Sequence, residues 1–201
     1  MTLSIRDVQS HDLDSVLAIN NAAGSTILPL DEAGLRTLYE QACYFRLAEI
    51  DGQIAAFLVA MREDAQYGSS NFLWFRERYP RFVYIDRIVV ARPYRRHGLG
   101  RVLYADVTSY AEMRVPELAC EVFLEQGDNV SLLFHGSWGF QEVGQHVMTE
   151  TGHRVAMLSK SLCSYPFVRD TYLKDAGELP DLPWLSERAR DDVPRRAAGG
   201  S

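Results

Sequence analysis

The chain is 201 residues long, enough for one well-buried domain with an extension, and 47% of it is hydrophobic against 24% charged, an ordinary globular balance. A net charge of −6 excludes a protein whose main business is a nucleic-acid backbone, so local basic clusters stand out against an acidic background. The longest apolar run, Ile54 to Met61, is far too short to cross a bilayer, and MTLSIRDV at the start lacks a signal-peptide core; a cytoplasmic protein with no membrane partner is expected. Cys43, Cys120 and Cys163 form no CxxC and have no histidine at zinc spacing, so no metal site is expected and a reducing setting fits.

In chain order, Leu3 to Val8 alternates as a short strand, Asp12 or Asp14 can cap a helix running to Asn20, and Asp31 can cap another running to Gln41. Tyr44 to Ile50 and Gln53 to Met61 flank Asp51-Gly52, the strongest short hairpin signal in the chain. From Arg62 to Arg81 the pattern turns irregular, polar and aromatic, with Tyr67, Asn71, Phe72, Trp74, Phe75 and Tyr79 crowded into one long connection that either covers the core or touches substrate. Phe82 to Val90 and Leu118 to Leu124 read as strands around an amphipathic stretch, Val102 to Met113. This is a βαβ unit and predicts a parallel pair with a right-handed crossover. Ser131 to Trp138 reads as a short helix closing near Gly139, and Phe140 to Met148 with His153 to Ser161 as a final antiparallel pair. The domain is expected to span 1–162, followed by a proline-rich, charged extension, 163–201. That extension wraps either its own domain or the partner in a homodimer through Tyr172, Leu182 and Trp184, and 194–201 reads as disordered.

The most informative run is RIVVARPYRRHGLGR, residues 87 to 101. A strand end, a proline turn, an arginine pair and two glycines stand directly ahead of a helix. Gly98 and Gly100 let the backbone approach a ligand without Cβ obstruction, and the helix N-terminus aims unpaired N–H groups at an anion. Arg95, Arg96 and Arg101 add charge-assisted bonds, so the run has the make-up of a pyrophosphate cradle. A dinucleotide fingerprint needs GxGxxG and a Walker loop needs GK[ST]; neither is present.

Two separated motifs, VVARPYRRHGLGR and DNVSLLFHGSWGFQEVG (Asp128 to Gly144), together with the element order, resemble the GNAT superfamily of N-acetyltransferases over roughly residues 3 to 162. The wording also looks like a poorly characterised bacterial branch of predicted acetyltransferases. The resemblance implies a mixed α/β GNAT fold, a mostly antiparallel central sheet split by one splayed parallel pair and flanked by helices, with acetyl-CoA as cosubstrate. It further implies that Ile88, Val89 and Val90 line the pantetheine arm, with Ile88 and Val90 offering backbone groups. Arg95, Arg96, His97, Gly98, Leu99, Gly100 and Arg101 would cradle the pyrophosphate, and Asn129, Ser131 and Phe134 would flank the far end of the arm. His135 departs from the pattern, since most members have tyrosine there. Independently, splayed parallel strands leave unpaired ladder groups that an amide-bearing arm can satisfy as a surrogate strand.

Acetyl transfer to an amine needs a base, a donor for developing negative charge and a proton for the departing thiolate. The backbone N–H of Val90 is the simplest donor. Glu121 is a carboxylate inside an apolar strand, where burial raises its pKa, and Asp86 in YIDRI is the second candidate base; either is equally explained by a structural pair with Arg87. His135 stands where the family's tyrosine protonates the thiolate, with Tyr84 and Tyr104 in reserve, while packing on Trp138 is its plain alternative. Cys120 beside Glu121 reads as core, because no histidine neighbours it in sequence. The expected function is N-acetyl transfer from acetyl-CoA to a primary amine of a small molecule or a protein, by direct attack in a ternary complex. The alternative is a non-catalytic acyl-CoA-binding or protein-interaction module.

Overall fold

A computed structural model describes residues 2–24, 27–124, 129–174, 179 and 187–192, with only the backbone of Asn129. Its strands are β1 (Leu3–Asp7), β2 (Tyr44–Ile50), β3 (Gln53–Arg62), β4 (Val83–Val90), β5 (Glu117–Phe123), β6 (Gln141–Val147) and β7 (Arg154–Ser161). Its helices are α1 (Leu13–Asn21), α2 (Glu32–Gln41), α3 (Ser70–Arg76), α4 (Leu99–Glu112), α5 (Asn129–Ser137) and α6 (Tyr165–Val168). The strands form one seven-stranded sheet in the order β1-β2-β3-β4-β5-β7-β6, antiparallel throughout except for the parallel pair β4–β5. None of the described helices is long and apolar enough to cross a membrane.

Local chemistry accounts for the element ends. Asp31 caps α2 by accepting from the Gly34 N–H at 2.7 Å. Asp51 and Gly52 both hold positive φ, +49° and +79°, as a two-residue turn matched to strand twist requires. α4 begins at Leu99, three residues ahead of the amphipathic stretch, because Gly98 takes φ +80° at its N-cap and closes the first turn through the Val102 N–H. From there Leu99, Leu103, Tyr104, Val107 and Ala111 follow helical spacing onto the sheet.

The sheet divides the core. One cluster joins α4 and α5 to one face through Leu103, Tyr104, Val107 and Phe134; the other joins α1, α2 and α3 to the opposite face through Val16, Leu38, Tyr39, Phe72 and Phe75.

Two irregularities in β4 open the middle of the sheet. The register to β3 slips between Val59 and Ala60, so Asp86 is a bulged extra residue and lies on the same face as Arg87; successive strand residues otherwise alternate. The pairing with β5 also stops early, running only from Val83↔Leu118 to Ile85↔Cys120. Beyond Ile85 the two strands part.

The long connection after β3 is more ordered than its sequence indicates. It carries α3, whose Phe72 and Phe75 are fully buried. Its N-terminus is capped from the β6–β7 turn, where Glu150 accepts from the Ser70 N–H (2.8 Å) and hydroxyl (2.6 Å). Trp74 lies so close to Gly144 that a Cβ there would stand 2.8 Å from the indole. Gly144→Ala is therefore expected to push Trp74 off the β6–β7 hairpin and cost about 1–3 kcal/mol, read as a lower midpoint in urea unfolding.

Residues 187–192 of the extension lie on their own chain, along β1 and α2. The Arg188 guanidinium donates to the carbonyls of Tyr39, Ala42 and Val8 and stacks over Tyr39 at 4.4 Å. Tyr172 packs edge-on against Phe167. Leu182, Trp184 and 194–201 lie outside the described residues.

Candidate active site

Where β4 and β5 part, a cavity of about 820 Å³ passes through the sheet, lined on one side by Leu99, Gly100, Tyr104 and Phe134 and on the other by Tyr67, Ile27, Leu28 and Met148. Its size suits a cofactor-sized ligand. Among the residues expected to hold the cosubstrate, the wall includes Ile88, Val89, Val90, Arg95, Arg96, Gly98, Leu99, Gly100, Arg101, Ser131 and Phe134. The three acid–base candidates, Asp86, Glu121 and His135, line it too. His97 does not: its ring is exposed and Nδ1–H donates to the Arg95 carbonyl at 2.9 Å. The Asn129 side chain lies outside the described residues.

The edge of β4 facing the gap can be assigned from its hydrogen bonds. The Ala91 N–H donates to Ala55 of β3 at 2.9 Å, and successive strand residues alternate, so the N–H groups of Ile88 and Val90 point into the gap. At the far end the N-terminus of α4 presents the N–H groups of Leu99, Gly100 and Arg101. A Cβ on Gly98 would meet nothing within 4 Å, and one on Gly100 would stand 3.7 Å from the Phe134 ring. Arg96, at φ +68°, carries the turn that exposes these groups. Arg95 uses its donors on the carbonyls of Val90 (3.3 Å) and Ala23 (2.9 Å), so it ties the loop to the end of α1. Unpaired strand donors, a glycine cradle and a positive helix end fit a diphosphate joined to an amide-bearing arm.

The two carboxylates differ sharply. Both oxygens of Asp86 are engaged: Oδ1 accepts from the Tyr67 hydroxyl at 2.5 Å and Oδ2 from Arg87 Nε at 2.6 Å. Arg87 also donates to Asn20 Oδ1 (3.0 Å) and the Leu28 carbonyl (3.1 Å), so the bulge fastens α1, the α1–α2 loop and the connection before α3 together. Glu121 forms no ion pair among the described residues. Its Oε2 is buried without a hydrogen-bond partner, and so are Tyr84 Oη and both polar atoms of the Asn71 side chain. Burial, reinforced by the Asp86 charge, pushes the Glu121 carboxyl up to about 8, while Tyr84, Asn71 and Arg87 pull the other way.

His135 is buried, with both ring nitrogens engaged. Nδ1 lies 2.7 Å from the Ser131 carbonyl, which can only accept, so Nδ1 carries the hydrogen; Nε2, 2.6 Å from Tyr104 Oη, then accepts from that hydroxyl. Burial lowers the His135 pKa, keeping the ring neutral near pH 7, and raises that of Tyr104 well above the usual phenol range.

Sequence alone does not single out the wall opposite α4, Ile27, Leu28 and Met148, since these residues meet only through the tertiary fold. Asn71, whose buried side chain acts on Glu121, reads in the sequence only as one member of an aromatic loop. A polar residue one position ahead of a buried Phe72 was the available signal.

The family model described as Acetyltransferase (GNAT) family matches residues 15–140. No curated protein matches the chain. Among solved structures, the ribosomal-protein-S18-alanine N-acetyltransferase from Escherichia coli superposes with a TM-score of 0.62 at 19% identity, over 80% of this chain and 94% of that one. Ard1 from Thermoplasma volcanium gives 0.64 at 17% identity, over 81% and 99%. Arabidopsis thaliana Naa50, in complex with the bisubstrate analogue CoA-Ac-MVNAL, gives 0.59 at 18%, over 80% and 99%. At such identities the likeness is one of fold. With the match to the family itself covering most of the chain, the protein belongs to the acetyltransferase (GNAT) family, the acyl-CoA-dependent N-acetyltransferases.

Proposed function

We propose that the protein transfers acetyl from acetyl-CoA to a primary amine, of a small molecule or a protein, by direct attack within a ternary complex in the cytoplasm. The observation that carries this reading is Glu121, a carboxylate in the wall of the cavity on the strand facing the N–H edge of β4, one of whose oxygens, Oε2, is buried without a partner. Acetyl-CoA, when bound, supplies the acetyl group as an activated thioester. The Ile88 and Val90 backbone binds and orients the arm, the α4 N-terminus with Arg96 and Arg101 holds the diphosphate, and Val90 N–H donates to the negative charge that develops on the reacting carbonyl. The Glu121 carboxylate takes the proton from the acceptor amine. Asp86, with both oxygens occupied, positions the acceptor wall and is not the base. The proton for the departing sulfur comes from the Tyr104 hydroxyl: at rest it is donated to His135 Nε2, and on transfer it turns to the sulfur, the O–H bond breaking as S–H forms, so that His135 positions the hydroxyl instead of acting as the acid itself.

Steady-state thiol release in the presence of a panel of primary amines tests the reading. Amine-dependent release with acetylated product supports it. Acetyl-CoA binding without amine-dependent turnover favours a non-catalytic acyl-CoA-binding module. The Tyr104–His135 unit makes a further prediction: Tyr104→Phe and His135→Leu each lower kcat about 10–100-fold, and the double variant is no worse than the more damaged single. Additive losses would show that the two side chains act separately.

A further inference from the structure

The acceptor wall carries a chemical preference. Beyond Asp86 the cavity is bounded by Ile27, Leu28, Phe123 and Met148, with the Tyr67 ring and Ser69 beside them. Among the described residues lining that end, Arg87 is the one cation, and its guanidinium is already committed to Asp86, Asn20 and the Leu28 carbonyl. A carboxylate next to the reacting amine would therefore enter a largely apolar wall without a counter-ion. A second ammonium farther along the acceptor would also find no counter-charge, since both Asp86 oxygens are engaged and Glu121 is needed at the first amine. Resting on the acetyl-transfer reading, we infer that the acceptor is a primary amine on an apolar, uncharged body, with no carboxylate beside the amine. Two sources share that chemistry: a small aryl or alkyl amine, and the N-terminus of a polypeptide beginning with an apolar residue.

The test uses the full chain with acetyl-CoA and matched acceptors: 2-phenylethylamine, phenylalanine, putrescine and a pentapeptide amide beginning with Met. Product is identified by mass, and binding of each acceptor to the CoA-loaded protein is followed by calorimetry. The inference predicts that kcat/KM for 2-phenylethylamine exceeds that for phenylalanine and putrescine by at least about 30-fold, with calorimetric binding in the same order. The ratio of the peptide amide to 2-phenylethylamine then identifies the source. Ile27→Lys, which sets an ammonium in the half-buried wall, narrows the phenylethylamine-to-phenylalanine ratio by about tenfold or more. Phenylalanine or putrescine acetylated as well as 2-phenylethylamine overturns the inference while leaving acetyl transfer standing. No acetylation of any amine by protein that binds acetyl-CoA overturns the transfer reading and the inference with it.

Discussion

Glu121→Gln is expected to lower kcat/KM for acetyl transfer by about 10²–10³-fold at pH 8 while leaving acetyl-CoA affinity within a few-fold of wild type, because a positioned base contributes on that order. The pH dependence separates this role from a structural one. Burial holds the carboxyl at about 8, so the fraction able to accept a proton grows as pH rises through that value, and wild-type activity rises with it. With the same acceptor, the acceptor's own ionisation cancels in the comparison, and the Gln variant lacks that part of the rise. Stability moves the opposite way. A folded-state pKa of about 8 against the ordinary 4.5 means that between those values the native state binds more protons than the unfolded one, so the charged carboxyl weakens the fold as pH climbs through that window. Glu121→Gln removes that loss and is expected to raise Tm above pH 8, the difference shrinking toward pH 5. A variant equally slow at every pH, with no gain in Tm, would make Glu121 a structural residue.

Arg188→Ala should destabilise the fold by about 2–4 kcal/mol, or roughly 5–10 °C in Tm, without changing acetyl-CoA affinity. The guanidinium is buried among backbone carbonyls and the rings of Tyr39 and Phe45, and burial brings it down to about 10. Truncating the side chain leaves the carbonyls of Tyr39 and Val8 without this donor and opens a gap over two aromatic rings. Around it the strap is stitched to β1 and the turn after it. Ala189 N–H donates to Asp7, Gln9 exchanges bonds with Ala189 and Asp191, and both Asp191 oxygens accept from Ser10. Ending the chain after residue 186 removes all of these and is expected to cost more than the point substitution. An unchanged Tm in both would mean that the strap does not hold to the domain in solution.

Elements whose signals are local were legible in the sequence. Asp51-Gly52 specified its hairpin, Asp31 its cap, and the run from Arg87 to Arg101 named a strand end, a glycine turn and a helix N-terminus in order, the parts of the proposed diphosphate cradle. What escaped depends on distant partners. α3 reads as loop because its N-terminus is capped by Glu150, eighty residues downstream. The Asp86 bulge has no glycine to announce it, and without it Asp86 and Arg87 would face opposite sides of the sheet instead of pairing on one side of the cavity. His135 was visible as a titratable residue in the right helix. Its contact with Tyr104 on α4, 2.6 Å from its ring, was not, because the two residues meet only through the tertiary fold.

Acetyl-CoA entering the gap between β4 and β5 is the central claim, and calorimetric titration of acetyl-CoA into wild type, Gly98→Trp and Gly98→Asn tests that entry. Asn tolerates the left-handed backbone that Gly98 adopts, whereas Trp fills the mouth of the cradle. Wild-type binding is expected near micromolar, on the order of −8 kcal/mol, largely kept by Asn and lost with Trp in protein whose circular dichroism is unchanged. Folded wild type that takes up no acetyl-CoA, or a Trp variant that binds it as tightly as wild type, would contradict the claim.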